Sequence, residues 1–214
     1  MGDEVKRRRY DSSNRTRQAR ETRRRIVEAA ARLFVRDGYA ATSINAIAHD
    51  AHVAVPTVYA TLRSKANILR AVVELTVRGD DEAAVLSSRA VWQAIEDEPD
   101  PRARLARFAR LHREICEREA AVFAQLDAAA GADPEATALL AEHESRRYET
   151  QARLARSLAR DKALKRRLPP REAADAIWTL ASERTYLALT RDRGWTAAQY
   201  ERWLTGQLAA ALLP

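Results

Sequence analysis

The apolar residues of this chain recur every three or four positions and nowhere in sustained alternation, a pattern that predicts helices and no sheet. From about Ser13 onward, Ile26, Ala29, Ala30, Leu33 and Phe34 share one helical face, and the segment stops at Asp37-Gly38, where glycine suits a left-handed C-cap. Thr42 is placed to cap a short helix burying Ile44, Ile47, Ala48 and Ala51. After a three-residue break at His52-Val53-Ala54, a second short helix turns Val58 and Leu62 inward. Two short helices joined so tightly predict a helix-turn-helix over about residues 42–62.

Ser64 caps the next predicted helix, in which Ile68, Leu69, Val72, Val73 and Leu75 lie in phase and which is expected to bridge two domains. Asp80-Asp81 marks a predicted bend. Val85, Leu86, Val91, Trp92 and Ile95 then keep helical spacing up to Pro99 and Pro101, which break the chain. Further helices are expected at roughly 101–118, 119–130, 134–163, 170–192 and 196–213. Their separators are Gly131-Ala132-Asp133-Pro134, Pro169-Pro170 and Arg193-Gly194-Trp195-Thr196.

Composition supports an all-α chain of about nine helices, because 6 Gly and 7 Pro in 214 residues leave little material for β-turns. The single Cys116 can form no internal disulfide, and no apolar run resembles a signal peptide or membrane span. A soluble cytoplasmic protein with no membrane partner is the expectation. Charge changes the picture more. Residues 1–79 carry 16 Lys/Arg against 8 Asp/Glu, whereas residues 80–214 carry 21 against 22. Ten of those sixteen cations, including Arg7, Arg8, Arg9 and Arg25, fall within residues 1–25. A basic arm beside a near-neutral body points to a polyanion partner for the first part only.

Taken together, Ile26…Ala29-Ala30…Leu33-Phe34…Gly38-Tyr39…Thr42-Ser43-Ile44…Ile47-Ala48…Ala51 through Val58-Tyr59…Leu62-Arg63-Ser64-Lys65…Ile68-Leu69 resembles the DNA-binding domain of TetR-family regulators over about 50 residues. Charge marks a basic, flexible arm over residues 1–20, and the resemblance implies a three-helix DNA-binding domain over 21–68 and a helical bundle for effector binding and dimerisation over 69–214. It also implies phosphate contacts from Thr42, Tyr59 and Lys65. Both helix N-termini of such a motif can aim free N–H groups at phosphates.

The groove-facing positions are expected to be Val55, Pro56, Thr57 and Ala60, a face poor in hydrogen-bond donors. Bidentate arginine or asparagine contacts to bases are therefore unavailable there, leaving thymine methyls for Val55 and Pro56 and the Thr57 hydroxyl. Minor-groove insertion of the arginine arm is expected to share the specificity. Two positions depart from the family pattern: His52 stands where the turn commonly has Gly, and Ala54 where a Ser commonly caps the third helix. Histidine can adopt the left-handed turn at some cost, and the missing cap costs roughly 1 kcal/mol.

In the family the second domain binds a small molecule and dimerises through its last helices, and Asp175-Ala176-Ile177-Trp178 through Trp203-Leu204 resembles that closing pair. Two-fold pairing also follows from DNA geometry, since one short helix reads too few base pairs and a dimer reads a palindrome. Trp178, Tyr186, Leu189, Trp203 and Leu204 are the interface candidates. Trp92, Leu105, Phe108, His112, Cys116, Phe123, His143, Arg147 and Trp178 are candidates for an effector pocket, with plain core packing as the alternative for each. His112 and Cys116 share a helix face, but two ligands without a partner pair make a poor zinc site, so no metal or cofactor is expected.

No Gly-rich phosphate loop, nucleophile elbow or HExxH motif is present in the sequence, so no enzyme is expected. The expected function is a ligand-responsive repressor that binds a palindromic double-stranded operator as a homodimer and is released by a small apolar or amphipathic effector. The alternative is a regulator of the same fold, controlled by a protein partner or acting as an activator, with no small ligand.

Overall fold

The structure, a computed structural model, describes the backbone of residues 2–78 and 90–214 and the side chains of residues 15–76 and 90–214. Among these residues every regular element is helical, in keeping with the all-α expectation. Helix α1 spans Gly2–Asp37, α2 Ile44–Asp50, α3 Val55–Leu62 and α4 Lys65–Arg78. The described part of α5 is residues 90–96. Then follow α6 (Pro101–Ala130), α7 (Pro134–Arg160), α8 (Pro170–Leu180), α9 (Glu183–Leu187) and α10 (Ala197–Leu212), with a π-helical turn over Ala188–Asp192 after α9. The predicted bend at Asp80-Asp81, with Val85 and Leu86, lies outside the described residues.

The chain divides into two compact units, Met1–Leu75 and Thr76–Pro214. In the first, α1 packs on α2 and α3. Ile26, Ala29, Ala30, Leu33 and Phe34 are buried against Ile47, Ala48, Val58 and Leu62, as their spacing predicts. The α1 backbone is helical back to Gly2, so residues 2–20, read as an arm from charge, continue the first helix. Lys, Arg, Glu and Gln in that stretch are good helix formers, and no proline interrupts it.

Ser43, rather than Thr42, caps α2: its hydroxyl accepts the Ala46 N–H at 3.1 Å. Thr42 turns its own hydroxyl back onto the Gly38 carbonyl at 2.8 Å. Of two adjacent hydroxyls, only the residue that immediately precedes the helix with extended backbone reaches the third helical N–H.

In the second unit α6 packs on α7, α9 and α10, and α8 lies against α7 and α10. Leu105, Leu154, Leu158, Ile177, Tyr200, Leu204, Leu208 and Leu212 are fully enclosed there. The two helices predicted at 101–118 and 119–130 are one, because Glu117-Arg118-Glu119-Ala120-Ala121 contains only good helix formers. The stretch predicted as one helix over 170–192 is instead interrupted. Ala181 leaves helical geometry at φ −94 and ψ 73, and Ser182 caps α9 by accepting the Thr185 N–H at 3.1 Å.

Arg104 joins the start of α6 to the end of α7. It is 2% exposed. It donates to the Glu98 carbonyl at 2.9 and 2.5 Å and to Ser157 Oγ at 3.2 Å, and pairs with Asp161 at 2.7 Å.

Candidate nucleic-acid interface and effector site

The turn between α2 and α3 is built by two backbone features and a third supplied by a side chain. Val53 N–H returns to the Ala48 carbonyl at 2.9 Å, and His52 takes a φ of 52, the left-handed conformation expected of it. Ala54 precedes α3 with no side-chain cap, and Pro56 sits in the first turn, where a missing N–H costs nothing. The third feature escaped the sequence reading. Arg25, counted among the cations of the basic arm, donates to the Ala51 carbonyl at 3.1 and 2.6 Å and to the His52 carbonyl at 2.7 Å. It thus clamps the turn from α1. The signal available beforehand was its position, one residue before the buried Ile26 rather than on the solvated face.

Of the proposed reading positions, Pro56 and Ala60 are exposed and Val55 and Thr57 half-buried, while Tyr59 is 50% exposed on the same helix. Lys65 donates from Nζ to the Ala40 carbonyl at 3.3 Å and lies 4.4 Å above the Tyr39 ring. Thr42 is buried. The side chains of Arg7, Arg8 and Arg9 lie outside the described residues.

The second unit gathers the candidate effector residues into three groups. Trp92 stacks beside Phe108 at 6.0 Å, and Phe108 beside His112 at 6.2 Å. His112 is hydrogen-bonded at Nδ1 to the Tyr200 hydroxyl at 3.2 Å, with Cys116 Sγ 3.5 Å away. Burial pulls the His112 imidazole down to a pKa of about 4, and burial with the nearby Glu183 and Glu119 charges pushes the Cys116 thiol well up. Both groups are therefore neutral near pH 7, fitting core packing better than nucleophilic chemistry.

Arg147 serves the break after α8. Its Nη1 donates to the carbonyls of Trp178 and Ala181 at 2.9 and 2.8 Å, and Gln151 adds a 2.7 Å bond to Ala181. Such carbonyls at a helix end have no intrahelical partner, and a cation there also meets the negative end of the helix dipole. Its Nε and Nη2 hold Glu144 at 3.0 and 2.6 Å, and the Trp178 indole donates to the same carboxylate at 3.2 Å.

Phe123 packs on His143 at 5.4 Å, and His143 Nε2 meets Glu183 Oε1 at 3.1 Å. Glu183 and Glu119, which the sequence reading did not single out, are 3% and 7% exposed. Burial pushes the Glu183 carboxyl up, but the hydrogen bond and charge of His143 and the charge of Arg147 outweigh it and hold the pKa at about 2. Glu119 has no such help: burial and the Glu183 charge raise it to about 7. The available signal was a glutamate on the apolar face of α6, three residues past Cys116 and four before Phe123.

Among the described residues no group of three or more His, Cys, Asp or Glu could hold a metal ion. Of the interface candidates, Tyr186 and Leu204 are buried within the chain's own core, while Trp178, Leu189 and Trp203 are partly exposed.

A three-helix head carrying a helix-turn-helix is followed along the chain by a larger all-helical unit. Residues 26–72 match the family model for bacterial regulatory proteins of the tetR family. No curated protein matches the sequence. Similar solved structures share the fold across nearly the whole chain. A proposed transcriptional regulator from Saccharomonospora viridis in complex with choline has 23% identity and a TM-score of 0.69, covering 91% of this chain and 98% of that one. The SmeT–triclosan complex has 17% identity and a TM-score of 0.67, covering 90% and 92%. NalD of Pseudomonas aeruginosa, the secondary repressor of the MexAB-OprM multidrug efflux pump, has 20% identity and a TM-score of 0.66, covering 91% and 98%.

Proposed function

We propose that this chain is a cytoplasmic, non-enzymatic transcription regulator: a ligand-responsive repressor that binds a palindromic operator as a homodimer and is released by a small effector in its second unit. The observation that carries this reading is the helix-turn-helix head, with its clamped turn and an α3 surface left to solvent at Pro56, Tyr59 and Ala60. Tyr59 and Lys65 supply phosphate contacts, and Thr42 joins them once its hydroxyl swings away from Gly38. Val55, Pro56 and Thr57 read bases, and Arg7, Arg8 and Arg9 enter the flanking minor groove. Dimer pairing uses the α8 to α10 surface, which Trp178, Leu189 and Trp203 reach and Tyr186 and Leu204 support from beneath. Among the described residues no helix is long and apolar enough to cross a membrane.

Release is a shift between two arrangements of the dimer. An effector that prefers the arrangement with wrongly spaced reading heads tilts residues 64–79 and weakens DNA binding. The small-molecule complexes among chains of similar fold support a ligand-binding second unit. The test is operator selection from random DNA by the purified chain, followed by binding titrations with and without thermal-shift hits from a ligand library. A chain that enriches no sequence has the wrong function assigned, and a tight ligand that leaves operator affinity unaltered refutes the coupling.

Two variants sharpen this reading. Val55→Ala removes thymine-methyl contact and is expected to cut preference for thymine at the contacted position by roughly 1 kcal/mol, about fivefold. An unchanged ranking of selected sites would remove that contact from the account. Arg25→Ala is expected to weaken operator binding about tenfold, because two turn carbonyls lose a charged donor worth about 1.5 kcal/mol or more. A clamp and a phosphate contact differ in salt dependence. Loss of the clamp leaves the slope of log affinity against log salt unchanged, whereas loss of a phosphate contact reduces it by about one.

A further inference from the structure

Two carboxylates are enclosed in the second unit without a full set of partners. Glu183 Oε2 is buried and accepts no hydrogen bond. The nearest cationic atom, Arg147 Nε, stands 3.6 Å away and is committed to Glu144, while Arg147 Nη1 is committed to the carbonyls of Trp178 and Ala181. Glu119, on α6, is 7% exposed, and among the described residues no hydrogen bond or ion pair reaches it. A buried carboxylate left in this condition is costly unless something positive joins it.

The surroundings are aromatic. Phe123 lies one turn beyond Glu119 and packs on His143, the donor to Glu183. Tyr186 lies one turn beyond Glu183 and meets Tyr200 edge to face at 4.9 Å. Ring faces complement a cation that carries apolar groups, and they offer nothing to a hydrated metal ion.

We infer that the interior between α6, α7 and α9 receives an organic cation, an amine or quaternary ammonium bearing apolar substituents, with its charge held between Glu119 and Glu183. This rests on the ligand-responsive reading of the second unit and names the class of effector. An anion is repelled by both carboxylates.

The charged or titratable groups that act on Glu119 are Cys116 and Arg118 on its own helix, His143 on α7 and Glu183 on α9. Glu119, raised to about 7, changes charge near neutrality, and its proton must leave before a cation can pair with it. Affinity for a permanent cation is therefore expected to rise from about pH 6 to about pH 8, with proton release on binding.

The experiment is calorimetric titration of the full chain with choline and with benzyltrimethylammonium, beside the uncharged carbon isostere of choline in which tert-butyl replaces trimethylammonium. The cations are expected to bind and the isostere to fail. Glu119→Gln, which keeps the shape, is expected to weaken cation binding about tenfold and to abolish its pH dependence. Equal binding of the isostere overturns the inference, as does unchanged cation binding in Glu119→Gln or failure of both cations to bind. The underlying reading fails separately. A cation that binds as described but leaves operator affinity unaltered sinks the regulatory coupling and keeps the site, whereas a neutral compound that releases the operator, beside cations that do not bind, keeps the coupling and sinks the site.

Discussion

Arg104→Ala is expected to lower the unfolding free energy of the Thr76–Pro214 unit by about 3–5 kcal/mol, the cost of removing one partner from a buried charged network. The guanidinium is almost fully enclosed, and each of its partners loses something different. The Glu98 carbonyl, at the proline break before α6, loses both its donors, and Ser157 Oγ, inside α7, loses its 3.2 Å contact. Asp161 is 37% exposed at its side chain, so water recovers part of its loss. Its carboxyl is held below the usual range first by the Arg104 hydrogen bond, and it returns toward that range in the variant. All four tryptophans, at 92, 178, 195 and 203, belong to this unit, so urea unfolding followed by tryptophan fluorescence reads it directly. A loss below about 1 kcal/mol would class Arg104 with ordinary surface charges.

Glu119→Gln should act in the opposite direction and only above acid pH. The folded-state pKa of Glu119 is about 7, above its ordinary 4.5. Between those values the folded chain holds a proton that the unfolded chain has released. The stability from this group is thus complete below about pH 4.5 and is lost as pH rises through about 7. Glutamine mimics the protonated acid at every pH. The variant is therefore expected to match the parent below about pH 4.5 and to exceed it by about 3 kcal/mol at pH 8. Glu183, held down to about 2, and His112, pulled down to about 4, lose stability toward acid in both proteins. They cancel in the difference. Thermal unfolding of the two proteins at several pH values measures it, and a constant offset across the range would remove the titration of Glu119 as its cause.

Much of this protein was legible in the order of its residues. Helix positions followed from apolar spacing at Ile26 to Phe34 and Ile68 to Val73, and breaks from Gly38, Pro99, Pro101 and Pro169-Pro170, because these signals are local. The helix-turn-helix was legible for the same reason: the tight turn, its left-handed residue and the Ser64 cap of α4 all depend on neighbours within a few positions. Where the local reading slipped, two local choices competed. Thr42 and Ser43 both offered a hydroxyl to α2, and Ala181-Ser182 broke a stretch that contains neither Gly nor Pro.

What the sequence alone determined, then, is the helical class, the helix-turn-helix with its likeness to a family model, and the concentration of positive charge at one end. Tertiary structure decided the partners of the charged residues. Arg25 looked like one more cation of a basic arm and is a clamp on a turn 26 residues away. Arg147 looked like a pocket residue and closes the end of α8. Glu119 and Glu183, 64 positions apart, looked like two acids among many. Only packing brings them to one interior with too few donors, because the charge state of a group depends on burial and on neighbours that distant parts of the chain supply.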